Sequence, residues 1–457
     1  MPSPLQRLLP IKDGPRLLED AQTTPVPAPS IVSRPGGGDP VWLDGGQCRA
    51  LARPSRDPRP GRAFASFRTA AQQSYDCTQD GDGQIMLPFS FTEAFESYVT
   101  ERWRGAQRSR SLSAGQLDLY YRVKRLVPRR LQLALRRRLI SLQGAPEFPR
   151  WPYDDSVERL VRFYGHCVLR ALDADEVAFT WFWPNRAHAA VILTHDVEGA
   201  AGLANAVRIG ELEERHGFRS SFNIVGDWYP IDWGIVTELR ERGHEIGSHA
   251  LYHDRSLFSD RSEFERQLPE LRECVTRLGA VGFRSPATHR VQRWLAELPV
   301  EYDATMPLSD PYEPQPGGVC TAWPFFIGDV VELPYTLPQD HTLFNLLGHA
   351  DPSLWIQQVA RIKQSFGLVQ CVTHPDPGYL GERRNETAYV QFLDALAGED
   401  GLWHALPRDV ARWWRARAGG QSPPSLELGE GTIHRSDDGV LARLSPPAPS
   451  PKSGAAI

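Results

Sequence analysis

The 457-residue chain has no run of about 18 apolar residues, so nothing in it predicts a membrane span. Its six cysteines (Cys48, Cys77, Cys167, Cys274, Cys320 and Cys371) are dispersed, with no Cys-x-x-Cys pair. That argues against thiolate metal clusters and gives no disulfide framework. The opening stretch MPSPLQRLLPIKDGPR lacks a long apolar core, so no secretory signal is expected and a cytoplasmic enzyme is. There is no excess of positive charge. A net charge of −5 argues against a general nucleic-acid binder, though local basic patches remain open. Apolar residues make up only 41%, and 39 prolines dilute the core-forming positions. The length fits one large domain with extensions, or two domains.

Composition divides the chain. Residues 1–60, rich in Pro, Gly, Arg and Ser, read as largely disordered. Residues 61–187 read as a mostly helical N-terminal extension. It contains a basic run, Tyr121 to Ile140, in which Arg129, Arg130, Arg136, Arg137 and Arg138 lie among leucines. The run reads either as a membrane-surface or partner-docking helix or as a solvated helix packed through its leucines; Pro128 interrupts it. From 188 to 418 strands and helices alternate: Val191–Thr194, Ser221–Val225, Glu245–Gly247, Val281–Arg284 and Leu368–Thr373 are expected strands. Helices are expected through Leu203–Gly210, from Asp232 to before Gly243, through Phe264–Leu278, and from Asp351 to Gly367. Such alternation predicts an α/β fold with a parallel sheet closed as a barrel. Residues 419–457, with Pro423-Pro424 and Pro446-Pro447, are expected to form a tail, partly disordered.

The chemistry gathers at strand ends, where parallel α/β folds place their sites. Asp196 and Glu198 follow the first barrel strand. Residues two apart on an extended chain point the same way, so both can face one pocket. One carboxylate can bind a divalent metal while the other takes a proton from water, which a metal acidifies to a pKa of about 7. The plainer reading is that Asp196 caps the next helix. His249 and His253, four apart, lie on one side of a helical turn and can bind one ion; otherwise they are two unrelated histidines. Arg284 follows a strand and can pair with Asp196, or is an ordinary arginine before a turn proline. His374, after another strand, is a candidate general acid.

Taken together, these residues resemble the polysaccharide deacetylase (NodB-homology) family, carbohydrate esterase family four. The likeness covers roughly residues 188–415. The family's Thr-Phe-Asp-Asp motif stands here as Thr194-His195-Asp196-Val197-Glu198. Its His-Ser/Thr-x-x-His motif matches His249 to His253 with Ala250 in place of the hydroxyl residue. Its Arg-x-Pro motif matches Arg284-Ser285-Pro286, its later histidine motif matches Val372-Thr373-His374, and Phe218–Gly226 resembles the strand after the first helix. The resemblance implies a distorted (β/α) barrel that hydrolyses N-acetyl groups on sugars. It implies Asp196 as base, Glu198, His249 and His253 as ligands of a divalent metal (zinc foremost), Arg284 as orienter of the base, and His374 as acid. The Ala287 N–H would help stabilise the oxyanion. Tyr302-Asp303 is the candidate for the family's fourth motif, and Ile327–Leu343 is expected to shape the substrate groove. The partner is expected to be an N-acetylated glycan or a lipid-linked sugar, with peripheral contact to the inner membrane surface through 121–140. Relatives also imply deformylation of lipid-linked sugars, hydrolysis of cyclic ureides, or an inactive glycan-binding barrel as alternatives.

Overall fold

The computed structural model describes residues 3–19, 29–33, 36–56, 61–106, 136–138, 146–437 and 439–448. The chain divides into two compact units. The first comprises residues 1–106, 155–188 and 413–457. It is built on a seven-stranded sheet of β1 (Arg16–Glu19), β2 (Ser30–Ser33), β3 (Val41–Asp44), β4 (Arg49–Ala52), β5 (Arg62–Arg68), β6 (Ser74–Gln79) and β7 (Ile85–Leu87), in the order β1-β2-β7-β6-β5-β3-β4. The helix Ser156–Ala171 buries Val157, Leu160, Val161, Tyr164 and Val168, an i, i+3, i+4 stripe. A second sheet joins β8 (Glu176–Thr180) to β18 (Glu430–His434), which pairs in turn with β19 (Arg443–Ser445).

This unit corrects three expectations. Residues 1–60 contribute four strands rather than only loop, and residues 61–187 contribute four more beside the helices Phe91–Val99, Trp103–Ala106 and Ser156–Ala171. The described part of 419–448 is pinned by β18 and β19. Strands of three to seven residues are shorter than the 11–18-residue window in which periodicity becomes legible. Of the basic run, 121–135 and 139–140 lie outside the described residues. Arg136 donates to Tyr312 O and Arg137 Nε to Asn345 O (2.7 Å), so these two guanidinium groups face the protein's own loops. Among the described residues no helix is long and apolar enough to cross a membrane.

The second unit, residues 107–154 and 189–412, is the α/β unit. Its strands are β9 (Ala189–Val197), β10 (Ser221–Ile224), β11 (Glu245–Ser248), β12 (Gly282–Phe283), β13 (Tyr302–Asp303), β14 (Phe325–Ile327), β15 (Val330–Glu332), β16 (Leu368–Thr373) and β17 (Leu402–His404). The order is β14-β15-β13-β12-β11-β10-β9-β16, and β17 also joins β9. Every pairing is parallel except β14 with β15. Beyond β15, Thr336 and Leu337 donate backbone N–H groups to Gln370 O on β16, and Thr336 Oγ1 bonds to Leu368 O (2.8 Å). These bonds close the curled sheet into a distorted (β/α) barrel.

Helices Ala200–Arg215, Ser353–Gln364 and Arg383–Ala397 cover the sheet through Ile209, Trp355, Ile362, Phe392 and Leu393, packed on Leu193, Val369 and Cys371. Asp232 caps Trp233–Glu241 by accepting from the Gly234 and Ile235 N–H groups. Pro269 lies inside the continuous helix Arg261–Arg277 and does not end it.

Glu245 opens β11 and is buried, accepting from Tyr302 Oη (2.9 Å) and the Arg408 N–H (3.1 Å). Burial outweighs these donors and pushes its carboxyl up to about 7. The fold therefore holds a proton that the unfolded chain has already released, so stability falls as pH rises from about 4.5 to about 7 and is level above that. At about 1.4 kcal/mol per pH unit the loss is roughly 3 kcal/mol. Glu245→Gln is expected to remove that slope, read as the difference between wild-type and variant urea midpoints across this window.

Candidate metal and catalytic site

The carboxyl ends of β9, β11, β12 and β16 carry the expected set into one place. Asp196, near the end of β9, is 4% exposed. Its strand partner Asn223 donates Nδ2–H to Asp196 Oδ1 at 2.9 Å. Gly247 makes this possible, because a Cβ there would overlap the Asn223 amide. Arg284 Nη1 lies 3.8 Å from Asp196 Oδ2. Arg284 is itself buried, and with its amide oxygen turned inward Gln370 accepts from Arg284 Nη2 while donating to Leu333 O (2.8 Å). Burial alone would raise the Asp196 carboxyl. Arg284, His249, His374 and the Asn223 amide together hold it below its ordinary value. It is therefore ionised at neutral pH. The helix after β9 takes Gly199 as its N-cap and has no side-chain cap, so Asp196 does not serve there.

His249 follows β11 directly. Its Nδ1–H donates to the Arg284 carbonyl at 2.9 Å, which leaves the lone pair on Nε2. That nitrogen is buried and has no hydrogen-bond partner. Burial pulls the ring down to about 4, so it is neutral at pH 7. His253 reaches the same point from a bent loop, not from the helical turn expected from the four-residue spacing. Ala250, at φ +62°, turns the chain between them. His253 Nε2 lies 2.9 Å from Glu198 Oε1. Burial pushes Glu198 up, but His253, His374 and His249 outweigh it and hold it well below the carboxylate range.

One ligand atom each from Glu198, His249 and His253 lies within 4.8 Å of the other two. Two imidazole nitrogens and a carboxylate oxygen at that spacing, one of them a buried lone pair, fit a divalent cation. The His249 bond to the Arg284 carbonyl fixes the ring's tautomer, as outer contacts do where a histidine binds a metal.

His374, just past β16, donates Nδ1–H to Asp340 Oδ1 at 2.7 Å, and its Nε2 lies 3.6 Å from Glu198 Oε1. Burial disfavours the charged ring, but Asp340, then Glu198 and Asp196, overcome it and push His374 up to about 10. The ring is thus a cation with a proton to give on the side facing the site.

Three residues placed here carried no chemical role in the sequence: Asn223, Gln370 and Asp340. A polar residue inside a buried strand was the available signal for Asn223. Asp340 belongs to the segment expected to shape a groove. It is fully buried and also accepts from the His374 and Leu380 N–H groups. The candidate for the fourth acidic motif, Asp303, is instead buried in register with Glu332 and accepts from Thr305 Oγ1 (2.6 Å). The acid that meets His374 is Asp340.

The model of the polysaccharide deacetylase family matches residues 184–290, which contain Asp196, Glu198, His249, His253 and Arg284. No curated relative matches the chain. Among solved structures, a Mycobacterium smegmatis protein assigned to the polysaccharide deacetylases is 18% identical, with 54% of this chain and 96% of that one covered and a TM-score of 0.41. The allantoinase PuuE is 14% identical over 51% of this chain and 92% of its own, at 0.40. A family 4 carbohydrate esterase from Streptomyces lividans, solved with acetate, is 15% identical over 48% and 93%, at 0.32. With scores of this size the assignment rests on the family-model segment and its motifs. Residues 184–290 are similar to the polysaccharide deacetylase family.

Proposed function

We propose that the barrel unit is a metal-dependent hydrolase that removes acetyl groups from N-acetylated sugars, with Glu198, His249 and His253 holding the metal. The observation that carries this reading is the partnerless, buried Nε2 of His249, aimed at the same point as Glu198 and His253 and flanked by an ionised Asp196 and a protonated His374. Zinc is the metal that suits two imidazoles and one carboxylate. When bound, such an ion polarises the amide carbonyl and acidifies water.

The remaining work falls to the side chains. Asp196 takes the proton of the attacking water, with Arg284 and Asn223 holding its carboxylate in place. The water oxygen bonds to the acetyl carbon. His374 gives its proton to the sugar nitrogen as the C–N bond breaks, yielding acetate and a free amine. Asp340 stabilises the cationic ring before that transfer and orients it throughout. The completeness of this acid, base and ligand set argues against an inactive glycan-binding barrel.

Trp228 supports a saccharide as the substrate. It is 51% exposed, and its ring lies 6.5 Å from that of His253. The Gly226 and Asp227 N–H groups donate to Ala250 O and Leu251 O, tying this loop to the histidine loop. An exposed indole beside the site offers a flat apolar face to a sugar ring.

Two outcomes test the reading. Asp196→Asn is expected to take up one zinc per chain as the wild type does, while kcat for acetate release from an N-acetylated glycan falls about 10²–10⁴-fold. Equal turnover by that variant would refute the assignment. Trp228→Ala is expected to raise KM about three- to tenfold with kcat and melting temperature unchanged, the loss of one stacked ring. An unchanged KM would remove the indole from the substrate path.

A further inference from the structure

We propose that Tyr229 and Asp376 together clamp the peptide plane between Val197 and Glu198, and so fix the direction in which Glu198 projects. The inference rests on the reading of Glu198 as a metal ligand. The ladder of β9 ends at Val197, paired with Ile224, so the N–H of Glu198 lies one residue beyond the last strand partner. It donates instead to Asp376 Oδ2 at 2.9 Å. The carbonyl of the same peptide plane, Val197 O, accepts from Tyr229 Oη at 3.0 Å.

A peptide unit is planar, and its C=O and N–H point in opposite directions. Holding both ends stops the plane from rotating about the chain. The Cα of Glu198, at the edge of that plane, then has a set direction. The two clamping groups arrive from opposite sides: Tyr229 from the loop after β10 and Asp376 from the loop after β16, the two neighbours that flank β9 at this end.

The sequence makes room for the carboxylate. A Cβ at Gly202 would overlap it, and one at Gly199 would come within 3.2 Å of Asp376 Oδ1. Asp376 thereby lies at the start of the helix Ala200–Arg215, which lacks a side-chain cap of its own. Tyr229 and Asp376 are positioning residues: they act on the ligand's backbone.

Calorimetric titration of the full chain with zinc tests this without turnover. Asp376→Ala and Tyr229→Phe are each expected to weaken zinc binding about 10–100-fold, the usual effect of losing an outer contact. Asp376→Asn, whose amide oxygen still accepts the N–H, is expected to stay near wild type. Gly202→Ala is expected to weaken binding by displacing the carboxylate. Tyr229→Phe deletes one oxygen, so it decides the matter should Asp376→Ala lose its fold by circular dichroism. Wild-type zinc affinity in both Asp376→Ala and Tyr229→Phe would overturn the clamp alone. A wild-type chain that takes up no zinc would overturn the metal reading, and the clamp with it.

Discussion

Burying the lone pair of His249 Nε2 without a donor costs about 1–3 kcal/mol, and much of the site is arranged around that cost. The ring is fixed by its other nitrogen, bonded to a carbonyl on the next strand connection. That carbonyl belongs to Arg284, whose guanidinium faces Asp196. One residue thus sets both the tautomer of His249 and the ionisation of Asp196. A fold tolerates a polar atom held in this way when an occupant supplies the missing interaction, because metal binding then adds to folding stability. The charges around it follow the same rule. Asp196 and Glu198 are both buried enough to be costly as anions, and each is kept ionised by cations drawn from different strands.

Much of this was legible because the barrel writes its chemistry at strand ends. An apolar run followed by Asp196 and Glu198, a short strand followed by His249, and another followed by His374 each combine a buried β pattern with a polar residue that such a strand does not need. The spacing of His249 and His253 indicated that the two rings meet but not the loop conformation that brings them together. A left-handed residue at Ala250 brings two loop histidines together as effectively as a helical turn would. Asp340 was not legible as a partner of His374. It stands 34 residues before it in the chain, ahead of a π-helical turn (His341–Leu346) that has no familiar periodicity. The first unit is illegible in the sequence for a different reason. Its strands are short, partly exposed and separated by proline-rich connections, so local sequence carries the loop signal while long-range pairing carries the structure.

One departure from the family pattern is the residue between Thr194 and Asp196. His195 stands where the motif has phenylalanine, and it is fully buried on the outer face of the sheet. Its Nε2 meets Glu213 at 2.8 Å, and Glu213 also accepts from Ser220 Oγ and Tyr389 Oη (both 2.5 Å). A buried acid on the helix Ala200–Arg215 thus answers a histidine where an aromatic ring would need none. Burial raises the Glu213 carboxyl, but His195 and the hydroxyl donors outweigh it and hold it below its ordinary value.

The outward bond has an inward consequence. His195 and Thr373 are register partners on β9 and β16, and His195 Nδ1 lies 2.7 Å from Thr373 Oγ1. Side chains alternate along a strand, so the next residues, Asp196 and His374, both turn into the barrel. A slip of one residue between β9 and β16 would send one of them to the wrong face. The hydrogen bond between His195 and Thr373 exists only in the correct register. Asp196 and His374 are therefore brought face to face by a contact that neither of them makes.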